Sequence, residues 1–303
     1  MKLPIRRVGL VIALLLIGTT LSVITSTFLT LPNLLNIARQ VSINGILAVG
    51  VTYVLLTGGV DLSLGSVVAL SGVIAASFAH PGDWPGFVPV TLGILTGAIC
   101  GTTNGFLVAV GKVPPFIATL GMMTATRGLA LVVSSGKPVS NLSAEFKALG
   151  TGMAPVTIFI TVAMLSWLLL GNLRLGRHIY AVGGNENAAR AAGINVDRVK
   201  LFAYTFCGAL AGLAGVVLAA RITTGQPNAA VGYELDAIAA VVIGGTSLSG
   251  GTGSIPGTLL GTILMGVINN GLDLLNVSSY YQAIVKGVII VGAVWLDQHK
   301  EKL

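Results

Sequence analysis

Charge is what this sequence has least of. Only 9% of its 303 residues are Asp, Glu, Lys or Arg, 54% are hydrophobic, and the mean hydropathy is +0.91. A soluble domain carries roughly a quarter to a third charged residues on its surface, so this chain cannot cover itself in water. Cysteine is nearly missing. Cys100 and Cys207 each lie inside an apolar run, which suits small buried hydrophobes better than a disulfide. Histidine is scarce too: His80, His178 and His299 fall in separate loops on two sides of the membrane and cannot form one metal site or triad. Neither a G-x-S-x-G elbow nor an H-E-x-x-H pair occurs. No catalytic residue, metal ligand or cofactor is therefore expected.

Nucleotide motifs fail as well. Gly105 to Gly111-Lys112 resembles a phosphate-binding loop, but its spacing is one residue too long, and Val113 replaces the hydroxyl that would hold magnesium. Gly251-Thr252-Gly253 lacks the third glycine of a dinucleotide fingerprint, where Pro256 stands. If ATP drives this protein, another polypeptide binds it. The net charge of +7 does not mark nucleic-acid binding, because no Lys/Arg cluster is interleaved with stacking aromatics. Basic residues that flank membrane helices on the cytoplasmic side explain it.

What remains is apolar runs and glycine. Runs near the ~20 residues that cross a bilayer recur along the chain, without the alternating strands of a barrel. The fold class is an all-α polytopic transmembrane bundle, one domain over residues 1–303, with about ten spans: 8–30, 40–58, 64–80, 87–111, 116–135, 154–171, 201–221, 234–248, 252–272 and 279–296. The eighth is short enough to be a half-helix or re-entrant segment. The first reads as an uncleaved membrane helix. Ten spans with both termini cytoplasmic place Lys2, Arg6, Arg7, Lys112, Lys300, Lys302 and the whole stretch 172–200 inside, and leave Arg39, Lys137, Lys147 and Arg221 outside.

Glycine ridges at Gly93, Gly97, Gly101 and Gly105, at Gly208 and Gly212, and at Gly257 and Gly261 predict close helix packing, internal in preference to a subunit contact. A weak internal repeat pairs GGVDLSLG (58–65) with GGTSLSGG (244–251), and Asn104-Gly105 with Asn270-Gly271. One extra crossing between the first pair of landmarks would invert the halves, a habit of transporters whose solute passes near the repeat interface.

A few polar residues are costly to place in a membrane. Asp61 or Ser63 either caps the next helix or marks a broken helix lining a polar path. Arg127 needs a partner, for which Glu234 and Asp236 are candidates, or a route to the outer headgroups; Lys286 shares its problem. Asn104, Thr119 and Asn270 either serve helix–helix hydrogen bonds or suit a neutral, hydroxyl-rich solute. No ring of acids or bases points to an ion.

The segment 172–200 is the polar exception, holding Arg174, Arg177, Arg190, Arg198 and Lys200. Asn185 is a good N-cap, Glu186 suits a first turn, and Asn187 to Ala192 reads as a short helix stopped by Gly193. Its alanines would permit close seating in a partner's groove.

Five motifs in order, GGVDLSLGSVVALSG, PPFIATLGMMTATRGLAL, IYAVGGNENAARAAGINV, GYELDAIAAVVIGGTSLSGGTGS and NNGLDLLNVSSYYQAIVKGVIIV, resemble the permease family of ABC sugar importers, with the ribose system most similar. The resemblance spans about Leu31 to Trp295. Permeases for other sugars, or for autoinducer-2, share it. It implies a cell inner-membrane subunit that is not an enzyme, paired as a homodimer. A cytoplasmic ABC ATPase would dock beneath, and an extracytoplasmic sugar-binding protein would dock on outer loops near 137–150 and 221–233. It also implies that Gly184, Asn185, Ala188, Ala189, Arg190, Gly193 and Ile194 form the ATPase-coupling loop. An ion-coupled secondary transporter is the alternative from another class; the shortage of buried acids argues against it.

Overall fold

A computed structural model describes the backbone of residues 5–300 and the side chains of 8–292 and Trp295. Lys2, Arg6, Arg7, Lys300 and Lys302, which enter the charge argument, lie outside the described side chains. Thirteen helices are described: α1 (Ile5–Ile24), α2 (Leu31–Leu56), α3 (Leu64–Ser77), α4 (Phe87–Ala109), α5 (Pro115–Val133), α6 (Ala144–Ala148), α7 (Ala154–Asn172), α8 (Arg174–Gly184), α9 (Glu186–Ala191), α10 (Val196–Ile222), α11 (Tyr233–Ile243), α12 (Ile255–Leu274) and α13 (Ser279–Lys300). Among the described residues the only extended pairing is one isolated bridge, Val139 to Gly225.

Each expected span coincides with one helix, and ten is a loose count of the crossings. Among the described residues six helices, α2, α4, α5, α7, α10 and α12, are long and apolar enough to cross a membrane by length and composition. The eighth expected span is indeed short, an 11-residue α11. The third is short too, contrary to expectation. At about 1.5 Å per residue, the 14 residues of α3 reach only about 21 Å of a ~30 Å hydrocarbon layer. Leu15, Ile99, Phe116, Ile117, Val132, Trp167 and Val288 stand more than half exposed on the outside. A bilayer buries such an apolar surface; water would not tolerate it.

The middle of the bundle is α10, which packs against α2, α3 and α4. The glycine ridge of α4 lies on α10: methyl groups on Gly97 and Gly101 would stand 2.8 and 2.9 Å from the Cα atoms of Gly212 and Gly208. With no hydrophobic drive between helices in lipid, such close backbone approach supplies the packing. The ridge is thus internal. Gly257 and Gly261 do the same for α12 against α11.

One packing pattern occurs twice. α10 lies on α3 and α4, with α5 against α3, just as α2 lies on α11 and α12, with α13 against α11. The two units run in opposite senses. Arg221 at the end of α10 bonds Asn36 at the start of α2 (2.8 Å), and Gly50 meets Cys207 midway. The half-helices correspond, α3 to α11. The paired glycine loops do not: residues 58–65 join α2 to α3, whereas 244–251 join α11 to α12. Their likeness is local.

Candidate functional site

The polar loop folds as its sequence dictates. Asn185 Oδ1 accepts from Ala188 N (2.9 Å) and starts α9. Gly193, at φ +82°, ends it: Gly193 N donates to Arg190 O and Ile194 N to Ala189 O, both 3.0 Å. This pair of bonds is the Schellman stop, which needs a left-handed residue that glycine supplies without strain. Gly184, Asn185, Ala188, Arg190 and Gly193 are exposed and Ile194 half-buried. Ala189 is not part of the free face, because it is buried against the chain's own core.

Five charged side chains, only one of them expected at the site, fix this loop. Arg190 bridges Glu186 (3.1 Å) and Asp197 (2.7 Å), Lys200 bridges Glu186 (2.6 Å), and Lys112 reaches Asp197 (2.9 Å) from the turn between α4 and α5. The Lys200 ammonium, then Arg190, holds the Glu186 carboxyl below its ordinary range. Each exposed pair contributes little alone, but a network resists better than a pair.

The loop is tied inward by glycine. The Gly251 amide donates to Leu56 O (3.0 Å), joining the α11–α12 loop to the end of α2. Gly183, at the end of α8, packs on both: a methyl there would overlap the Leu56 carbonyl oxygen. A methyl on Gly250 would stand 2.9 Å from Gly58 N and 3.0 Å from Gly183 O. Tyr180 Oη donates to Gly253 O (3.0 Å). The two glycine loops that looked like repeats therefore touch each other, with α8 wedged against both.

Asp61 is buried and stands two residues ahead of Ser63, the residue at the N-cap of α3. Its Oδ1 accepts from Ser63 N (2.9 Å) and Ser63 Oγ (2.6 Å), a local turn ahead of the helix. Asn104 Nδ2 donates to Ser63 Oγ (3.0 Å), so Asp61, Ser63 and Asn104 form one buried cluster. Tyr204 Oη pins the same loop at Val60 O (3.2 Å). Thr119 is fully buried and bonds back to Pro115 O (2.9 Å) in its own helix. Asn270 exchanges amide bonds with Asn33 (2.8 and 3.0 Å), locking α12 to the start of α2.

A family model described as "Branched-chain amino acid transport system / permease component" matches residues 33–294. The chain belongs to this permease family. It is 48% identical to the ribose import permease protein of Escherichia coli (strain K12) over 299 residues, 96% of this chain and 93% of that protein. It is 45% identical to the ribose import permease protein of Bacillus subtilis (strain 168) over 302 residues, 97% and 94% of the two chains. Its identity to the D-allose transport system permease protein of Escherichia coli (strain K12) is 40% over 277 residues, 89% and 85% of the chains. No solved structure matches the chain.

In this permease, among the described residues, Arg127 forms no salt bridge with either expected acid. Its Nη1 donates to Pro227 O (2.7 Å) and Ala229 O (3.0 Å), backbone carbonyls in the segment leading to α11. Asp236 instead pairs with Lys286 (2.7 Å) and accepts from Asn269 Nδ2 (3.3 Å), fastening α11 to α12 and α13. The start of α3 meets the start of α11, since a methyl on Gly65 would overlap Glu234 Oε2 and Ala230 O. Two half-helices thus meet by their N-termini, with Arg127 and Glu234 on one cavity.

Proposed function

We propose that this chain is the membrane-spanning permease of an ATP-driven, binding-protein-dependent importer of a monosaccharide, ribose first. Two copies form the pathway, and a separate cytoplasmic ABC ATPase hydrolyses ATP. The reading is carried by similarity to ribose and allose permeases along nearly the whole chain. The family description speaks of branched-chain amino acid systems, but it is the broader label, and the full-length relatives named here move sugars. The termini and the 172–200 loop face the cytoplasm, as its basic residues favour.

Gly184, Asn185, Ala188, Arg190, Gly193 and Ile194 present α9 to the ATPase, and Ala189 seats it. A stroke on α9 passes through α8 to the Gly183 contact. There it reaches the loop carrying Asp61 and Ser63, which leads into α3, and the loop leading into α12. Asp61, Ser63 and Asn104 act as the stiff root of α3, Thr119 and Asn270 as fixed packing, and Arg127 as the polar residue on the path. The binding protein docks where 137–150 and 221–233 come together, at the Val139–Gly225 bridge (2.9 Å both ways).

Ala188→Trp tests the docking claim, because Ala188 is exposed and its replacement strains nothing inside the chain. The variant should insert and melt like wild type but lose both the co-purified ATPase and ribose uptake. A variant that retains the ATPase refutes α9 as the docking element.

A further inference from the structure

The cavity between α3, α5 and α11 measures about 370 Å³ and is lined by Ser66, Met123, Thr124, Arg127, Val231 and Glu234. That size falls in the range of small-molecule sites, ~300–1,000 Å³. It holds one fixed cation and one fixed anion that are not bonded to each other. Arg127 commits Nη1 to two carbonyls and keeps its other N–H groups. Glu234 forms no salt bridge among the described residues; its carboxylate lies by the backbone amides of Gly232 and its own residue. The Thr124 hydroxyl donates to Leu120 O (3.1 Å), so its remaining capacity is to accept. Met123 and Val231 supply apolar wall.

Opposite charges make this cavity inhospitable to an ion of either sign and complementary to a neutral molecule that both donates and accepts. Charge-assisted hydrogen bonds are the stronger class, and hydroxyl groups satisfy both partners. We propose that this cavity is a transient subsite for a neutral polyhydroxyl solute. Arg127 donates to it, Glu234 and Thr124 accept from it, and the C–H face rests on Met123 and Val231. The proposal rests on the sugar-importer reading and names where in the chain the sugar is held between delivery and release. Glu234 also neutralises the first turn of α3, over which its carboxylate lies. That role needs neither Arg127 nor Thr124.

The test compares Glu234→Gln and Thr124→Val with wild type, each reconstituted with the ATPase and the binding protein. The readout is sugar transported per ATP hydrolysed, with ribose as the probe. Replacing the carboxylate by an amide keeps an accepting oxygen and removes the charge that about doubles the strength of the bond, a change of roughly fivefold. Glu234→Gln should therefore lower the ratio by about that factor, and Thr124→Val by less, while the loaded binding protein still stimulates ATP hydrolysis. Thr124 is exposed on the cavity wall, so its variant decides the matter if Glu234→Gln misfolds. An unchanged ratio in both variants, or a parallel loss of ATPase and transport, overturns the subsite. Failure of wild type to move any sugar overturns the importer reading instead.

Discussion

Gly183→Ala probes the contact on which coupling depends, and Gly184→Ala supplies its control. The added methyl at 183 overlaps the Leu56 carbonyl, beside the Gly251 N–H bond to that same oxygen. At 184 nothing lies within 4 Å of the new atom. Overpacking costs about 1–3 kcal/mol, and the strained hydrogen bond about another 0.5–1.5. Both positions end the same helix, so the intrinsic gain of alanine over glycine cancels in the comparison. The difference between the variants is then about 2–4 kcal/mol, on the order of a 30- to 1,000-fold change in equilibrium. Thermal melting in detergent should rank Gly183→Ala well below wild type, with Gly184→Ala level or slightly above. In reconstituted complexes, Gly183→Ala that still binds the ATPase should hydrolyse ATP with little transport. Equal melting and equal transport for the two variants would refute the wedge.

Other outcomes follow from the same geometry. Lys286→Met leaves the buried Asp236 carboxylate unpaired and should destabilise by about 3–5 kcal/mol, and adding Asp236→Leu should restore most of the loss. A double variant as unstable as the single one contradicts the pair. Gly193→Val meets open space but forces φ +82° on a branched residue, so it should cost about 1–2 kcal/mol, with Gly193→Asn milder. Equal melting of the two argues against the left-handed stop. The Glu186 carboxyl is held low by Lys200 and Arg190. Its contribution is therefore complete above the ordinary Glu value of about 4.3 and fades only as pH falls through the lower folded value. Hydrogen exchange over 186–199 should be flat from pH 8 to 5 after correction for intrinsic rates, and protection already lost near pH 6 speaks against the network.

The helical runs were legible because hydropathy reports burial in lipid directly, and α9 was legible because its cap and stop are local. Asn185 and Gly193 lie within one short segment and need no tertiary information. The half-length of α3 was not legible. Its start at Leu64 matches the expected span, but the helix stops at Ser77, short of the expected end at 80, and the bond that roots it, Asn104 to Ser63, spans 41 residues (3.0 Å). The loop's ion network stayed hidden for the same reason: Lys112 and Asp197 are 85 residues apart. Arg127 misled because its partners are backbone carbonyls, to which composition is blind. The repeat was half legible. The half-helices α3 and α11 correspond, but Asn104 bonds the turn ahead of α3 and Asn270 bonds α2, and glycine loops resemble one another wherever backbones must approach closely.

ATP-dependent ribose uptake into sealed vesicles tests the central claim most directly. This chain would be reconstituted with the ATPase, with the binding protein, with both, or alone. Uptake only when both partners and ATP are present is the predicted result. Uptake by the chain alone, driven by a proton gradient, would contradict it.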